Sequence, residues 1–190
     1  MTRKKQGKTE LTDASIETLI SELASHDDLV RVRARQALVA MRKAAIRSLI
    51  EALKNKKYLM RWEAAKALGE IGDPEAAPAL VKALEDEEFD VRWLAAEGLI
   101  KMNINGIRPL LQELTAGGGS TLLREGAHHV FHDLTKGALK KCLAPVLAKL
   151  EEIEPTEEEP WTAASHETAV EVPRAALKAL EVLEKIKKCE

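Results

Sequence analysis

Aromatic residues are nearly missing from this chain: three Trp, two Phe and one Tyr make up 3% of 190 residues. Sheets draw on aromatic and β-branched side chains, so the scarcity argues against a β-rich core and for packed aliphatic helices. Cysteine is as sparse. Cys142 and Cys189 are far apart, which leaves no basis for a disulfide framework or a Cys-x-x-Cys metal knuckle. No apolar run approaches the roughly 20 residues of a membrane span. The basic start Met1–Thr9 is not followed by an apolar stretch, which argues against a signal peptide. Together these absences predict a cytoplasmic, reduced protein without a membrane segment.

What is present is charge, and its distribution is uneven. The net formal charge is −2. Residues 1–66 carry 15 Lys and Arg against 8 Asp and Glu, and the remainder carries 14 against 23. A basic first third is thus joined to an acidic remainder. The length suffices for one domain with a sizeable core.

The core pattern is a repeat. Four segments superpose: Val30-Arg31-Val32-Arg33-Ala34-Arg35-Gln36-Ala37-Leu38, Met60-Arg61-Trp62-Glu63-Ala64-Ala65-Lys66-Ala67-Leu68, Val91-Arg92-Trp93-Leu94-Ala95-Ala96-Glu97-Gly98-Leu99, and Leu123-Arg124-Glu125-Gly126-Ala127-His128-His129-Val130-Phe131. The shared arginines step by 30, 31 and 32 residues. Each segment is followed by a second amphipathic pattern, as in Ile46-x-x-Leu49-Ile50-x-x-Leu53, Ala77-x-x-Leu80-Val81-x-x-Leu84 and Ile107-x-x-Leu110-Leu111-x-x-Leu114. Apolar residues at i, i+3, i+4 and i+7 give each helix one buried stripe. Between paired helices, Gly72 suits a left-handed helix end, Asp73 an N-cap and Pro74 a first turn. Ile16 to Leu23 reads as a second helix lacking its first. Val172 to Leu183 reads as a first helix lacking its second, with Pro173 in the arginine's place.

These periods predict an all-α, α-α superhelix of about ten helices in one domain over residues 11–190. Its parts are a cap helix over 13–24, repeats over about 28–54, 58–85, 89–115 and 121–151, and a cap helix over 170–188. Residues 1–10 read as a disordered basic tail, and 152–168, with its Glu/Pro run, as an acidic loop.

The pattern, most fully written at Met60-Arg61-Trp62-Glu63-Ala64-Ala65-Lys66-Ala67-Leu68-Gly69-Glu70-Ile71-Gly72-Asp73-Pro74, resembles the HEAT-like repeats associated with phycobilisome lyases. The resemblance covers about residues 14–188 and implies a solenoid fold without fixing a function. It also implies that a stripe beside the buried one lines a concave binding surface. That stripe carries Asp28 or Leu29, Val32, Gln36 and Ala40 in repeat one, Tyr58 or Leu59, Trp62, Lys66 and Glu70 in repeat two, Phe89, Trp93, Glu97 and Lys101 in repeat three, and Thr121 or Leu122, Glu125, His129 and Asp133 in repeat four.

Four of the six aromatics fall on this stripe in two adjacent repeats. Tyr58–Trp62 and Phe89–Trp93 are i, i+4 pairs, and Tyr58–Phe89 and Trp62–Trp93 lie one repeat apart. The spacing predicts a two-by-two aromatic cluster flanked by Arg33, Glu63, Asp90 and Glu97. Two readings are open: aromatics that fill grooves between helices, or a binding hot spot. Aromatic enrichment at interface cores favours the second. The candidate partner-binding set is Tyr58, Trp62, Glu63, Lys66, Phe89, Asp90, Trp93 and Glu97. The arginine ladder Arg31, Arg61, Arg92 and Arg124 recurs in every repeat, and so is read as serving the repeat itself.

Catalytic and metal signatures are weak. His128 and His132 are i, i+4, a spacing able to hold a metal, but they stand at packing positions and lack a third ligand. A related family, the HEAT-repeat di-iron hydroxylases, carries His-Glu dyads directly after the repeat arginine. Here those positions read Val32-Arg33, Trp62-Glu63, Trp93-Leu94 and Glu125-Gly126, and the lone His166-Glu167 is out of register. Gly117-Gly118-Gly119-Ser120 lacks the lysine of a phosphate-binding loop. The expectation is a monomeric, non-enzymatic protein-binding scaffold without metal or cofactor. Two other readings are nucleic-acid binding through Arg42, Lys43, Arg47, Lys54, Lys56 and Lys57, and an accessory role in chromophore attachment. The first is disfavoured because those charges fall on the second helices and their turns while the stripe is acidic. The second has only fold analogy behind it.

Overall fold

A computed structural model describes residues 15–117, 119–136, 139–151 and 165–187. Among them lie ten α-helices: α1 over 15–22, α2 (Asp28–Met41), α3 (Lys43–Ala52), α4 (Tyr58–Ile71), α5 (Ala77–Ala83), α6 (Phe89–Met102), α7 (Ile104–Gly117), α8 (Thr121–Leu134), α9 (Lys140–Glu151) and α10 (Ser165–Lys187). No strand occurs among the described residues. The tail 1–10 and most of the acidic loop expected over 152–168 lie outside them. Residues 165–168 of that expected loop are already helical.

The helices form two layers. In the first, α2 packs on α4, α4 on α6 and α6 on α8. The second layer is built from α3, α5, α7 and α9, and α5 packs on α7. The predicted stripes are what lies between the layers. Ala34, Leu38, Ala64, Leu68, Ala95, Leu99, Ala127 and Phe131 of the first layer are buried, as are Ile46, Leu49, Leu80, Leu84, Ile107, Leu110, Leu114, Val146 and Leu150 of the second. Small residues let the first-layer axes approach closely. A Cβ built on Gly98 would lie 3.2 Å from the Gly69 Cα and 3.0 Å from a Leu80 methyl, so α4 and α6 meet almost backbone to backbone.

The turn inside each pair varies more than its sequence position suggests. In repeat two, Gly72 adopts φ +68° and closes α4, and the Asp73 carboxylate accepts from the Glu75 amide 3.0 Å away at the start of the Pro74–Ala76 turn. In repeats one and three the same corner is one residue tighter and is taken by Arg42 and Asn103, at φ 49° and 52°. Both non-glycine residues sit where glycine is favoured.

The last helix departs from expectation. Read from sequence, α10 is a first helix, which would place it beside α8. It instead joins the second layer, packed against α7 and α9, which meet each other only marginally. Val172, Ala176, Ala179 and Leu183 form its buried stripe. Lys149 Nζ lies 2.7 Å from a Glu171 carboxylate oxygen, the Cys142 thiol donates to the Ala179 carbonyl at 3.2 Å, and Arg108 lies 3.7 Å from Glu184. The physical reason is at Pro173. A proline in the arginine's place cannot make the guanidinium bonds by which Arg61 and Arg92 hold the turns before their helices. The small alanines of its stripe let it settle between α7 and α9 instead.

Candidate functional site

The arginine ladder explains the rigidity of the surface. Arg31 donates to the Ser25 carbonyl at 2.7 Å, Arg61 to the Asn55 carbonyl at 3.0 Å, and Arg92 to the Asp86 carbonyl at 2.8 Å. Each arginine reaches back six residues to the turn that delivers its own helix. The side chains of those same turn residues accept from the amides of Asp27, Lys57 and Glu88. The guanidinium thus satisfies carbonyls left open where the preceding helix ends. Arg61 goes further and spans repeats: its Nε and Nη2 hold Asp86 at 2.7 and 3.0 Å, and Nη2 holds Glu87 at 2.9 Å. The hydrogen bond from Asp86 leads the effects that raise the Arg61 pKa above its usual range.

The turns before α4 and α6 stand in one register but carry opposite charge. Residues 54–57 read Lys-Asn-Lys-Lys, and 85–88 read Glu-Asp-Glu-Glu. Arg61 of α4 ties the acidic turn to the helix that the basic turn precedes.

Three successive first-layer contacts then use three chemistries. Between α2 and α4, Arg31 and Arg35 lie 3.4 and 3.5 Å from the Glu63 carboxylate, and Arg35 lies 3.6 Å from Glu70. Glu63 is only 1% exposed. Burial pushes its pKa up, and the charges of Arg35 and Arg31 only partly offset this. Its place in the candidate binding set is therefore corrected: its carboxylate is consumed inside the stack. Between α4 and α6, the Tyr58 hydroxyl donates to Asp90 at 3.0 Å. Partial burial and that acceptor hold the phenol above its ordinary pKa. Between α6 and α8, the Trp93 and His129 rings meet at 4.5 Å between centroids, tilted by 34°, and His129 Nε2 lies 3.4 Å from Glu97 Oε1.

The expected two-by-two cluster is not formed. Among the described residues, neither Tyr58–Phe89 nor Trp62–Trp93 is a ring contact. Trp62 is half-buried beneath the Lys66 ammonium, 4.7 Å from its ring centre. Phe89 and Trp93 are 62% and 46% exposed, with centroids 6.2 Å apart. The observed aromatic run is Phe89–Trp93–His129, shifted one repeat toward the C-terminus. Together with Arg92, Leu122 and Glu125 it lines a cleft of about 150 Å³ between α6 and α8. Asp90 is exposed beside it and Glu97 half-buried. His129 was legible on the repeat-four stripe, but an imidazole does not announce itself as the ring partner of an indole.

The remaining histidines do not assemble a site. His128 and His132 rings are 6.1 Å apart, and His128 Nε2 lies 3.7 Å from Glu151. Among the described residues no group of three His, Cys, Asp or Glu side chains is placed to hold a metal. Lys43, Arg47, Lys54, Lys56 and Lys57 are exposed on the second layer and its turns. No helix among the described residues is long and apolar enough to cross a membrane.

Stacked antiparallel helix pairs with a repeating capped arginine define an α-helical solenoid. A family model of HEAT repeats matches residues 16–118, more than half of the chain, and the chain belongs to the HEAT repeat family. Proteins built from these repeats generally act as scaffolds for protein–protein interaction. Two similar solved structures are both of engineered proteins that were structural-genomics targets. One is 22% identical, with 94% of this chain and 83% of that chain covered and a TM-score of 0.42. The other is 22% identical, with 89% of this chain and 47% of that chain covered and a TM-score of 0.41. No curated protein matches the chain.

Proposed function

We propose that the protein is a non-enzymatic scaffold that binds another protein on the first-helix layer, with the α6–α8 surface as its centre. The observation that carries this reading is the exposure of Phe89 and Trp93, side by side on the first-helix layer. Exposed contiguous aromatics framed by carboxylates are the composition of an interface core and its rim. A fold that needed Trp93 only for packing would cover more of it. The same reading has a monomer in the cytoplasm, where a buried thiol such as Cys142 stays reduced.

The test is affinity capture with two variants of unchanged helical circular dichroism. Phe89→Ala/Trp93→Ala is expected to lose a partner that wild type holds. Lys43→Ala/Arg47→Ala, on the second layer, is expected to keep it. If the second variant loses the partner and the first retains it, binding belongs to the basic layer and the reading fails. Nuclease treatment that abolishes capture would transfer the case to nucleic acid.

A further inference from the structure

We propose that the α6–α8 cleft receives one cationic side chain, arginine or lysine, from a basic segment of the partner protein. This rests on the reading of this surface as a protein-binding one and specifies what it recognises.

Size sets the first limit. Sites for cofactors and drug-sized ligands run to about 300–1,000 Å³. At about 150 Å³ the cleft takes a single side chain. Its walls set the chemistry. Phe89, Trp93 and His129 present a continuous aromatic surface, with successive centroid spacings of 6.2 and 4.5 Å. Ring faces are electron-rich and attract cations, tryptophan most strongly. The molecule itself already shows this on the same stripe: Lys66 lies over Trp62 at 4.7 Å and Arg92 over Phe89 at 5.6 Å. Among the described residues no cation lies over Trp93, and its ring is left half open to solvent.

Charge points the same way. Glu125 lines the cleft, is exposed, and makes no ion pair among the described residues. Glu97 borders the cleft through His129. At the Phe89 end stands the acidic turn 85–88, whose Asp86 and Glu87 answer Arg61 while Glu88 remains exposed. Arg92 is the one cation in the wall, and its guanidinium is turned to the Asp86 and Glu87 carbonyls at 2.8 and 3.0 Å. An apolar side chain would fill the cleft but leave the Glu125 carboxylate at its mouth without an ion pair. A cation stacked on Trp93 meets Glu125 at the mouth.

The test uses the full chain with a blocked peptide of alternating alanine and arginine, and the same peptide with citrulline, the neutral isostere, at each arginine. Titration is followed calorimetrically on wild type, Glu125→Gln and Trp93→Ala, with circular dichroism confirming the fold of each. The arginine peptide is expected to bind at least about tenfold more tightly than the citrulline peptide, and each substitution is expected to weaken it about fivefold or more. Equal binding of the two peptides would overturn the cationic proposal yet leave a protein-binding cleft. Arginine binding unaffected by Trp93→Ala would also overturn it, because attraction would then come from the acidic turn alone. Should the peptide bind as expected while the capture experiment yields no partner, the scaffold reading fails and the cation site stands.

Discussion

Repeats two and three share one framework, Arg61-Trp62-x-Ala64-Ala65 and Arg92-Trp93-x-Ala95-Ala96, and present different surfaces. Trp62 and Trp93 occupy one register position, each following a repeat arginine. The first is half-buried under its own helix's Lys66 and the second stands 46% exposed against His129 of the next helix. Their leading turns invert in charge, Lys-Asn-Lys-Lys against Glu-Asp-Glu-Glu. Their arginines differ as well: Arg61 bridges to two acids of the following repeat, while Arg92 donates to two carbonyls of its own turn. In a stack, then, a position's role is fixed less by its place in the repeat than by what the neighbouring repeat sets opposite it.

The contrast can be broken in measurable ways. The largest effect is expected from Arg61→Ala, which removes a buried guanidinium and the ion pair of half-buried Asp86 and should cost about 3–4 kcal/mol. Arg92→Ala, losing turn carbonyl bonds and an exposed contact with the Phe89 ring, should cost about 1–2 kcal/mol. Urea unfolding of the two variants reads the difference, and equal losses would mean that the inter-repeat bridge contributes nothing. Gly98→Ala attacks the seam between the two repeats. A Cβ there meets the Gly69 backbone and a Leu80 methyl at 3.2 and 3.0 Å. Overpacking of this kind costs about 1–3 kcal/mol, seen as a drop in Tm of several degrees.

Smaller effects sharpen the comparison. Trp62→Ala should destabilise by about 2 kcal/mol and Trp93→Ala by roughly half as much, since less of the second side chain is removed from water. The reverse order in thermal melts would make Trp93 the packing residue. At the corner that glycine fills in repeat two, Arg42→Gly in repeat one should raise stability by about 0.5 kcal/mol, the relief at positive φ exceeding the flexibility gained by the unfolded chain. The smallest signal is a pH slope. Glu63 has a raised pKa in the folded protein, so the folded state favours its protonated form. Its contribution is present below the ordinary carboxylate range and is lost as pH rises through the raised value. The stability of wild type minus that of Glu63→Gln should therefore fall as pH rises from about 4.5 toward neutrality. A flat difference would show that the two arginines fully compensate burial.

Much of the fold was legible, because helical periodicity and a recurring arginine are local signals. Gly72-Asp73-Pro74 reads correctly as a helix end and a cap, and the buried stripes from Leu38 to Phe131 follow their spacing. The ladder's structural role follows from its recurrence. The placement of α10 was not legible, since its stripe suits either layer and only the space between α7 and α9 decides. The binding site was half legible. Spacing put the aromatics on one stripe but could not show that Lys66 would cover Trp62, that Glu63 would turn inward to Arg31 and Arg35, or that His129 would extend the run. Those outcomes depend on rotamers and on the facing helix, which no single repeat encodes.

The wedge formed by α10 changes how such a stack comes apart. Arrays whose units touch only their neighbours unravel from an end, one unit at a time. Here α9 cannot leave without releasing α10, and α10 cannot leave without uncovering α7. The C-terminal half is thus expected to open as one block, with amide exchange in α7, α9 and α10 sharing one opening free energy, while α1 and α2 exchange separately. Cys142 marks the closed block. Its thiol faces the Ala179 carbonyl, and burial holds its pKa up, so an alkylating reagent gains access to it only when the block has opened.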